Sequence, residues 1–315
     1  IIHTAIQKFG VSRQAVLKHM HSLINENQVI AHGRTRDRFY ELRPQVNYNK
    51  SILIDSAFSS RSVINKFVLP HISMMPSNIV EIIQFSMGAL FRNIKDHSDS
   101  TKIYFKLYCN HDCFHIIISD NGNGLFGHIS SSINLDSIQN AAIELVKGGV
   151  TTDKKNHSGD ELNTVMNLFD SFKIESNGMF LDYDYQKKRY NSGESAQKKG
   201  TRMHFKISPF SKRSCQEIFK KIFDISNKTI SIPINLLMIC ENDQINSRNQ
   251  ARSILKNIDG NKRINFDFNN VDLIGPAFAD ELIRKIKKVD AGIKIKWTNS
   301  NETIDVMMSH SLNRF

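Results

Sequence analysis

The stretch His115–Phe126, HIIISDNGNGLF, runs three isoleucines into an aspartate and then sets glycines at 122 and 124. An apolar run that ends at a polar residue and glycines reads as a buried strand leaving through a turn. A carboxylate at that strand end can accept a hydrogen bond from an amino group. The glycines allow the chain to bend closely around whatever lies there. Ordinary turns after strands carry the same letters, so the neighbouring segments decide between the two readings.

Upstream, ALFRNIKDHSDS (89–100) places Asn93 and His97 four residues apart, on one face of a helix predicted over 79–97. Two strands follow it, KIYFKLY (102–108) and FHIIISD (114–120). Downstream come a helix over 137–146 and the glycine-rich, polar GGVTTDKKNHSGDEL (148–162). A helix over 162–172 is next, then a hairpin of FKIESNG and MFLDYDYQ. QKKRYNSGESAQKKG (186–200) reads as a charged loop before the strand TRMHFKIS.

Helix asparagine, strand-end D-x-G-x-G, glycine-rich lid and a Gly-Thr before a strand stand here in that order. From 79 to 210 the chain resembles the GHKL ATPases, the family of histidine kinases, gyrase and anti-sigma-factor kinases. RNIKDHS is most similar to the anti-sigma-type branch. The resemblance implies an α/β sandwich of the Bergerat type that binds ATP with magnesium (Mg2+). It assigns Asn93 to the Mg2+ that bridges the phosphates, with His97 beside it. Asp120 is assigned to the adenine amino group, with Gly122 and Gly124 lining the base pocket and Thr201 close by. Lys154, Lys155, Ser158 and Gly159 would form the lid over the phosphates, a role suited to lysines and backbone N–H groups.

Two positions depart from the pattern. The family's catalytic glutamate falls on Ala89, which cannot act as a general base, so no catalytic residue is assigned. The second glycine of the lid's S-G-x-G-L has become Glu161, which brings negative charge toward the expected phosphates. The motif therefore favours holding a nucleotide over hydrolysing one. HISMMP (71–76) faintly resembles a phosphoacceptor box, but no acid follows His71. The interval to Asn93 is also too short for a two-helix phosphoacceptor hairpin.

At the N-terminal end, GVSRQAVLKHMHSLINENQVI (10–30) sets Val16, His19, Met20, Leu23 and Ile24 at helical spacing, with Ser12 as N-cap. An earlier helix ends at Gly10, and VIAHGRTRDRFYEL (29–42) reads as a hairpin turning at Gly33. The segment resembles the winged helix-turn-helix family, which implies a DNA reader over 1–46. Ser12, Arg13, Gln14 and Lys18 would face base edges, and Arg34, Arg36 and Arg38 would lie along phosphates. Such a reader needs a homodimer for a palindromic site. Residues 47–78, interrupted by Pro70 and Pro76, read as a mixed linker.

The last third, from 226 to 315, alternates strands and helices as a small α/β layer. RINFDFNNVDLIGPAFADELIRKI (263–286) resembles STAS-like domains, in particular those fused behind GHKL ATPases. Phosphoswitch members of that fold begin the helix with a serine. Here Gly275, Pro276 and Ala277 occupy the place, so a docking role for a protein partner replaces phosphorylation. Asp267, Asp272 and Asp280 read as solvated or capping acids.

The fold class expected is thus α+β and multidomain: winged helix, GHKL sandwich, STAS-like domain. A net charge of +11 favours an anionic partner. No run approaches the ~18–20 apolar residues of a membrane span, so no membrane partner is expected. Four cysteines in a chain this long do not make a disulfide framework, which favours a reducing, cytoplasmic setting. Cys109, His111, Cys113 and His115 alternate, but CNHDC falls where a hairpin turns, against a shared zinc site. The leading functional reading is a DNA-binding, nucleotide-responsive transcriptional regulator. Its rivals are an anti-sigma-type protein kinase or ATPase and an interaction scaffold that no longer binds ATP.

Overall fold

The computed structural model describes residues 1–34, 37–135, 137–148, 161–185, 189–223, 229–237, 245–256 and 263–315. Three assemblies follow one another along the chain. In the first, α1 (Ile2–Phe9) ends at Gly10, whose φ of 63° supplies the left-handed C-cap. The helix α2 (Arg13–Asn25) starts at Ser12, whose hydroxyl accepts the Ala15 N–H at 3.2 Å. The strands β1 (Val29–His32) and β2 (Phe39–Leu42) pair antiparallel. Val16, Met20 and Val29 form a core of their own, with Leu23, Ile24 and Tyr40 against it. His19, expected on the apolar face, is exposed, because a single helix and one hairpin cover only a narrow stripe of α2.

The second assembly is a seven-stranded antiparallel sheet in the order β3-β4-β5-β9-β6-β7-β8. Its strands are β3 (Val46–Leu53), β4 (Lys102–Cys109), β5 (Phe114–Asp120), β6 (Ser171–Ser176), β7 (Met179–Asp184), β8 (Arg189–Glu194) and β9 (Thr201–Ile207). Alternation is plain along β4: Ile103, Phe105, Leu107 and Cys109 are buried while Lys102 and Tyr104 are exposed. The buried face carries α3 (Ser60–Phe67), α4 (Leu69–Ile72), α5 (Ser77–His97), α6 (Leu125–Ser132), α7 (Gln139–Lys147), α8 (Glu161–Leu168) and α9 (Cys215–Phe223). On α5 the buried residues Ile79, Ile82, Ile83, Ser86, Met87, Leu90, Phe91 and Ile94 follow the 3–4 spacing of one helical face, and the small Gly88 and Ala89 are buried between them. Phe91 meets Phe105 at 5.7 Å between ring centroids, which seats that face on β4.

Two expectations change here. Residues 47–78 are no linker: Val46–Leu53 pairs along its whole length with β4, and α3 and α4 close over the same core. The charged loop expected over 186–200 contains β8, which pairs with β7 from Met179↔Glu194 to Asp184↔Arg189. Both are edge strands bonded on one side, with polar residues on their outer face, so their sequences look like loop. The helix expected to reach 172 ends at Leu168, and Phe172 belongs to β6.

The third assembly is a parallel sheet in the order β10-β11-β12: β10 (Thr229–Pro233), β11 (Arg263–Asp267) and β12 (Lys294–Thr298). Around it lie α10 (Arg248–Ile254), α11 (Pro276–Val289) and α12 (Glu302–Arg314). Ser247 and Gln250 form a reciprocal capping box at the start of α10. Glu281 of α11 takes Arg252 Nε at 2.7 Å and Arg284 Nη2 at 2.5 Å, which ties α10 to α11. The apolar core of this sheet is continuous with that of the second assembly. At the junction, Asn235 Nδ2 donates to the Tyr190 carbonyl at 2.8 Å, covering the β8 edge.

Candidate functional site

Asp120 ends β5 and is nearly fully buried. Its Oδ1 accepts the Gly122 N–H at 2.8 Å. Burial raises its pKa above the ordinary carboxylate value, and hydrogen bonding toward Gly122 and Thr201 acts against that rise. A carboxylate has about four lone-pair sites, so the Gly122 bond leaves acceptor capacity for a ligand. The Thr201 hydroxyl in turn accepts the Leu125 N–H at 3.0 Å, which fixes the start of α6 beside Asp120. The structure thus brings together two of the residues singled out from sequence, Asp120 and Thr201.

The loop after Asp120 is latched to the end of α5. The Ser98 carbonyl accepts the Asn123 N–H at 2.8 Å, and Asn123 Nδ2 donates to Asp99 Oδ2 at 2.6 Å. Asn121 Oδ1 accepts the Ser100 hydroxyl at 2.6 Å and two backbone N–H groups of the same connection. The helix bearing Asn93 and His97 therefore ends against the Asp120 turn. Asn93 is half-buried on α5, and its side chain makes no hydrogen bond to another described residue. The His97 ring lies 5.9 Å from that of His128 on α6, whose pKa is lowered by burial and then by His97.

Gly122 and Gly124 are explained by packing. A Cβ on Gly122 would fall 2.0 Å from the Ser98 carbonyl oxygen. Gly124 has a φ of 87°, and a Cβ there would fall 2.3 Å from Asn177 Oδ1. Both positions thus hold protein against protein, where the sequence suggested a lining for a base. Asn177 was not singled out from the sequence, although Asn177-Gly178 is the dipeptide that turns the β6–β7 hairpin. Its side chain accepts the Gly127 N–H at 2.9 Å and donates to the Asn123 carbonyl at 3.0 Å.

Ala89 is fully buried among the α5 core residues, so no acid stands at that turn. Arg92 Nη2 lies 3.4 Å from Glu161 Oε2, so this acid at the start of α8 has a cation beside it. Lys154, Lys155, Ser158 and Gly159 lie outside the described residues.

On the first assembly, Arg13, Gln14 and Lys18 are exposed on the side of α2 away from Val16 and Met20. Ser12 is engaged as the helix cap. Arg34 and Arg38 are exposed on the β1–β2 connection, and Arg36 lies outside the described residues. Arg38 lies over the Tyr40 ring at 5.5 Å.

CNHDC forms the β4–β5 turn, with Asn110 Oδ1 accepting the N–H groups of Asp112 and Cys113. Burial pushes the Cys109 thiol up to about 11, which disfavours the thiolate that a metal needs. Among the described residues no group of three or more His, Cys, Asp or Glu is placed to hold a metal ion. Nor is any described helix long and apolar enough to cross a membrane.

In the third assembly, α11 begins at Gly275-Pro276, so the helix start offers no hydroxyl. The acids there are structural. Asp280 takes Ser311 Oγ at 2.8 Å and Arg314 at 3.0 Å, and Asp267 takes the Asn269 N–H and Asn299 Nδ2. No curated protein matches the chain. The family described as a STAS-like domain of unknown function (DUF4325) matches residues 250–305, and this part of the chain is a STAS-like domain.

Proposed function

We propose that the chain is a nucleotide-responsive regulator in which the sheet-and-helix module binds ATP, the N-terminal module binds DNA and the STAS-like domain docks a protein partner. The observation that carries this reading is Asp120. A carboxylate buried at a strand end, held by the Gly122 N–H and with acceptor capacity to spare, suits the exocyclic amino group of a purine. Asn93, one helical turn before His97 and free of described partners, suits a phosphate-bound Mg2+. That ion, when bound, would supply charge neutralisation between phosphate oxygens. Arg92 offsets the charge of Glu161, which keeps the phosphate end receptive to an anion. Ala89 removes the general base, so the reading is binding without turnover.

The exposed Arg13, Gln14 and Lys18 on a capped second helix support DNA reading. A nucleotide can alter DNA affinity only if it binds two arrangements of the chain unequally. Anisotropy titration of duplex DNA with and without Mg-ATP tests the whole reading. A shift in affinity at saturating nucleotide is expected, and an unchanged isotherm rejects the coupling. The packing of Gly122 and Gly124 also fits an interaction scaffold without nucleotide. Calorimetry separates the two, since a scaffold gives neither binding heat nor thermal shift with ATP.

A further inference from the structure

The face of the seven-stranded sheet turned away from the helices has a chemistry of its own. Side chains alternate along a strand, so Tyr104, Lys106 and Tyr108 of β4 share this face at steps of roughly 7 Å. Ser119 carries the register from Tyr104 to Arg202 of β9, and His115 carries it from Tyr108 to Lys206. Lys102, Arg202 and Lys206 are exposed, and Tyr104 is 36 % exposed. No described carboxylate lies within ion-pair distance of Lys102, Lys106, Arg202 or Lys206. The acid of this face nearest to them, Glu175 on β6, is already taken by Lys173 at 2.9 Å and Ser195 at 3.1 Å. Beyond it Asp182 of β7 is bound by Asn191 at 2.6 Å and marks the acidic border.

Like charges gathered on one sheet face oppose folding unless something else favours them. Their field is felt by His115. Burial first, then His204, Lys206 and Lys106, lower its pKa to about 4. Lys106 Nζ also lies 5.8 Å from the Tyr108 ring centroid, so cation and aromatic alternate along β4.

We infer that this open sheet face binds single-stranded nucleic acid, with Lys106, Arg202 and Lys206 on phosphates and Tyr104 and Tyr108 stacking bases. Uncompensated cations interleaved with flat aromatics on a sheet are the two components that sequence-tolerant strand binding requires. A duplex would satisfy the cations but keeps its base faces stacked, leaving the tyrosines unused. The proposed surface is distinct from the Asp120 site and from α2. Its failure would leave the nucleotide and duplex readings untouched.

The test is fluorescence anisotropy of the whole chain with a labelled oligothymidylate of about 20 nucleotides and with a duplex of equal length, across a salt series. Single-strand binding is expected, with affinity falling steeply as salt rises. Tyr104→Ala with Tyr108→Ala should weaken it roughly 10- to 100-fold while duplex binding stays within about twofold. Lys106→Gln with Lys206→Gln should flatten the salt slope by about 0.7 for each phosphate no longer neutralised. These side chains lie on the open face, and melting curves check that each variant is folded. Four outcomes overturn the inference. They are no single-strand binding at low salt, unchanged affinity in both double variants, loss of binding only in Arg13→Ala with Lys18→Ala, and equal competition by polyglutamate, which would indicate an acidic protein partner.

Discussion

Arg92 on α5 and Glu161 at the first turn of α8 face each other at 3.4 Å, immediately beside Asn93 in sequence and at the end of the 148–162 segment. Glu161 stands where the resembling family has a glycine, and Arg92 compensates the charge that this change introduces. The side chains are 44 % and 33 % exposed, so the pair contributes under about 1 kcal/mol to stability. Arg92→Ala should move the melting temperature by only a few degrees. With Glu161 uncompensated, Mg-ATP affinity should fall three- to tenfold, on the order of 1 kcal/mol. Glu161→Gln in the same chain should restore it. Calorimetry on the two variants and the double variant decides the point; equal affinity throughout would place Glu161 away from the phosphates.

Asp120→Asn separates recognition from stability. The folded-state pKa of Asp120 is raised, chiefly by burial. Between its ordinary value and that raised value the folded chain holds more protons than the unfolded one. Stability therefore declines as pH rises through that window. The asparagine variant lacks this slope and should be at least as stable as the wild type at pH 7. Its nucleotide affinity should drop roughly 10- to 100-fold, the worth of a hydrogen bond to a charged group. Melting curves from pH 4 to 8 and calorimetry with ATP test both parts. A destabilised variant that binds ATP normally would give Asp120 a structural role alone.

What the sequence disclosed follows from which constraints are local. Gly10 and Ser12 bound their helices through contacts within four residues, and the structure uses both as read. β4 and β5 were equally plain as strands, because their apolar runs are short and each buries one face. β3 escaped because Asn47, Asn49 and Ser51 face outward, and its pairing partner, Lys102–Cys109, lies far along the chain beyond α3, α4 and α5. Asp120 was legible as a strand-end acid. The occupants of the space at Gly122 and Gly124 were not, since Ser98 and Asn177 arrive from the α5–β4 connection and the β6–β7 turn. Arg92 went unnoticed for the same reason: its partner is 69 residues on.

The glycines predict a graded series. Gly178 has a φ of 83° with nothing within 4 Å of an added Cβ, so Gly178→Ala bears backbone strain alone, about 1–2 kcal/mol. Gly122→Ala would drive a methyl to 2.0 Å from the Ser98 carbonyl oxygen, which must then move with the end of α5. Gly200→Ala combines a φ of 68° with a contact of 2.1 Å to the Asp120 carbonyl oxygen. Both should cost about 3 kcal/mol or more, and Gly122→Ala should also loosen the latch that holds α5 to the Asp120 turn. Urea unfolding of the three variants gives the order. A Gly122→Ala variant no less stable than Gly178→Ala would contradict the close approach of Ser98.

One link between the seven-stranded-sheet module and the STAS-like domain is a buried pair. Lys147 Nζ lies 2.5 Å from Glu144 Oε1 on α7, with both side chains almost wholly buried, and it also donates to the Lys256 carbonyl beyond α10. Lys147 immediately precedes Gly148, where the glycine-rich segment begins. Burial lowers the Lys147 pKa while Glu144 pulls it back up. Between the lowered folded value and the ordinary one, the unfolded chain binds more protons, so this group makes stability rise with pH there. Lys147→Ala should cost about 3–5 kcal/mol, because it leaves Glu144 buried without its cation. Glu144→Leu with Lys147→Met removes both charges and should recover most of that loss, though not the bond to Lys256. The double variant is thus the informative one. If the STAS-like domain acts on the seven-stranded-sheet module through α7, it should retain its fold and the proposed ATP binding while losing any effect of a STAS-domain ligand on nucleotide affinity. A double variant as unstable as Lys147→Ala would mean that the hydrogen bond to Lys256, rather than the ion pair, carries the contribution of Lys147 to the junction.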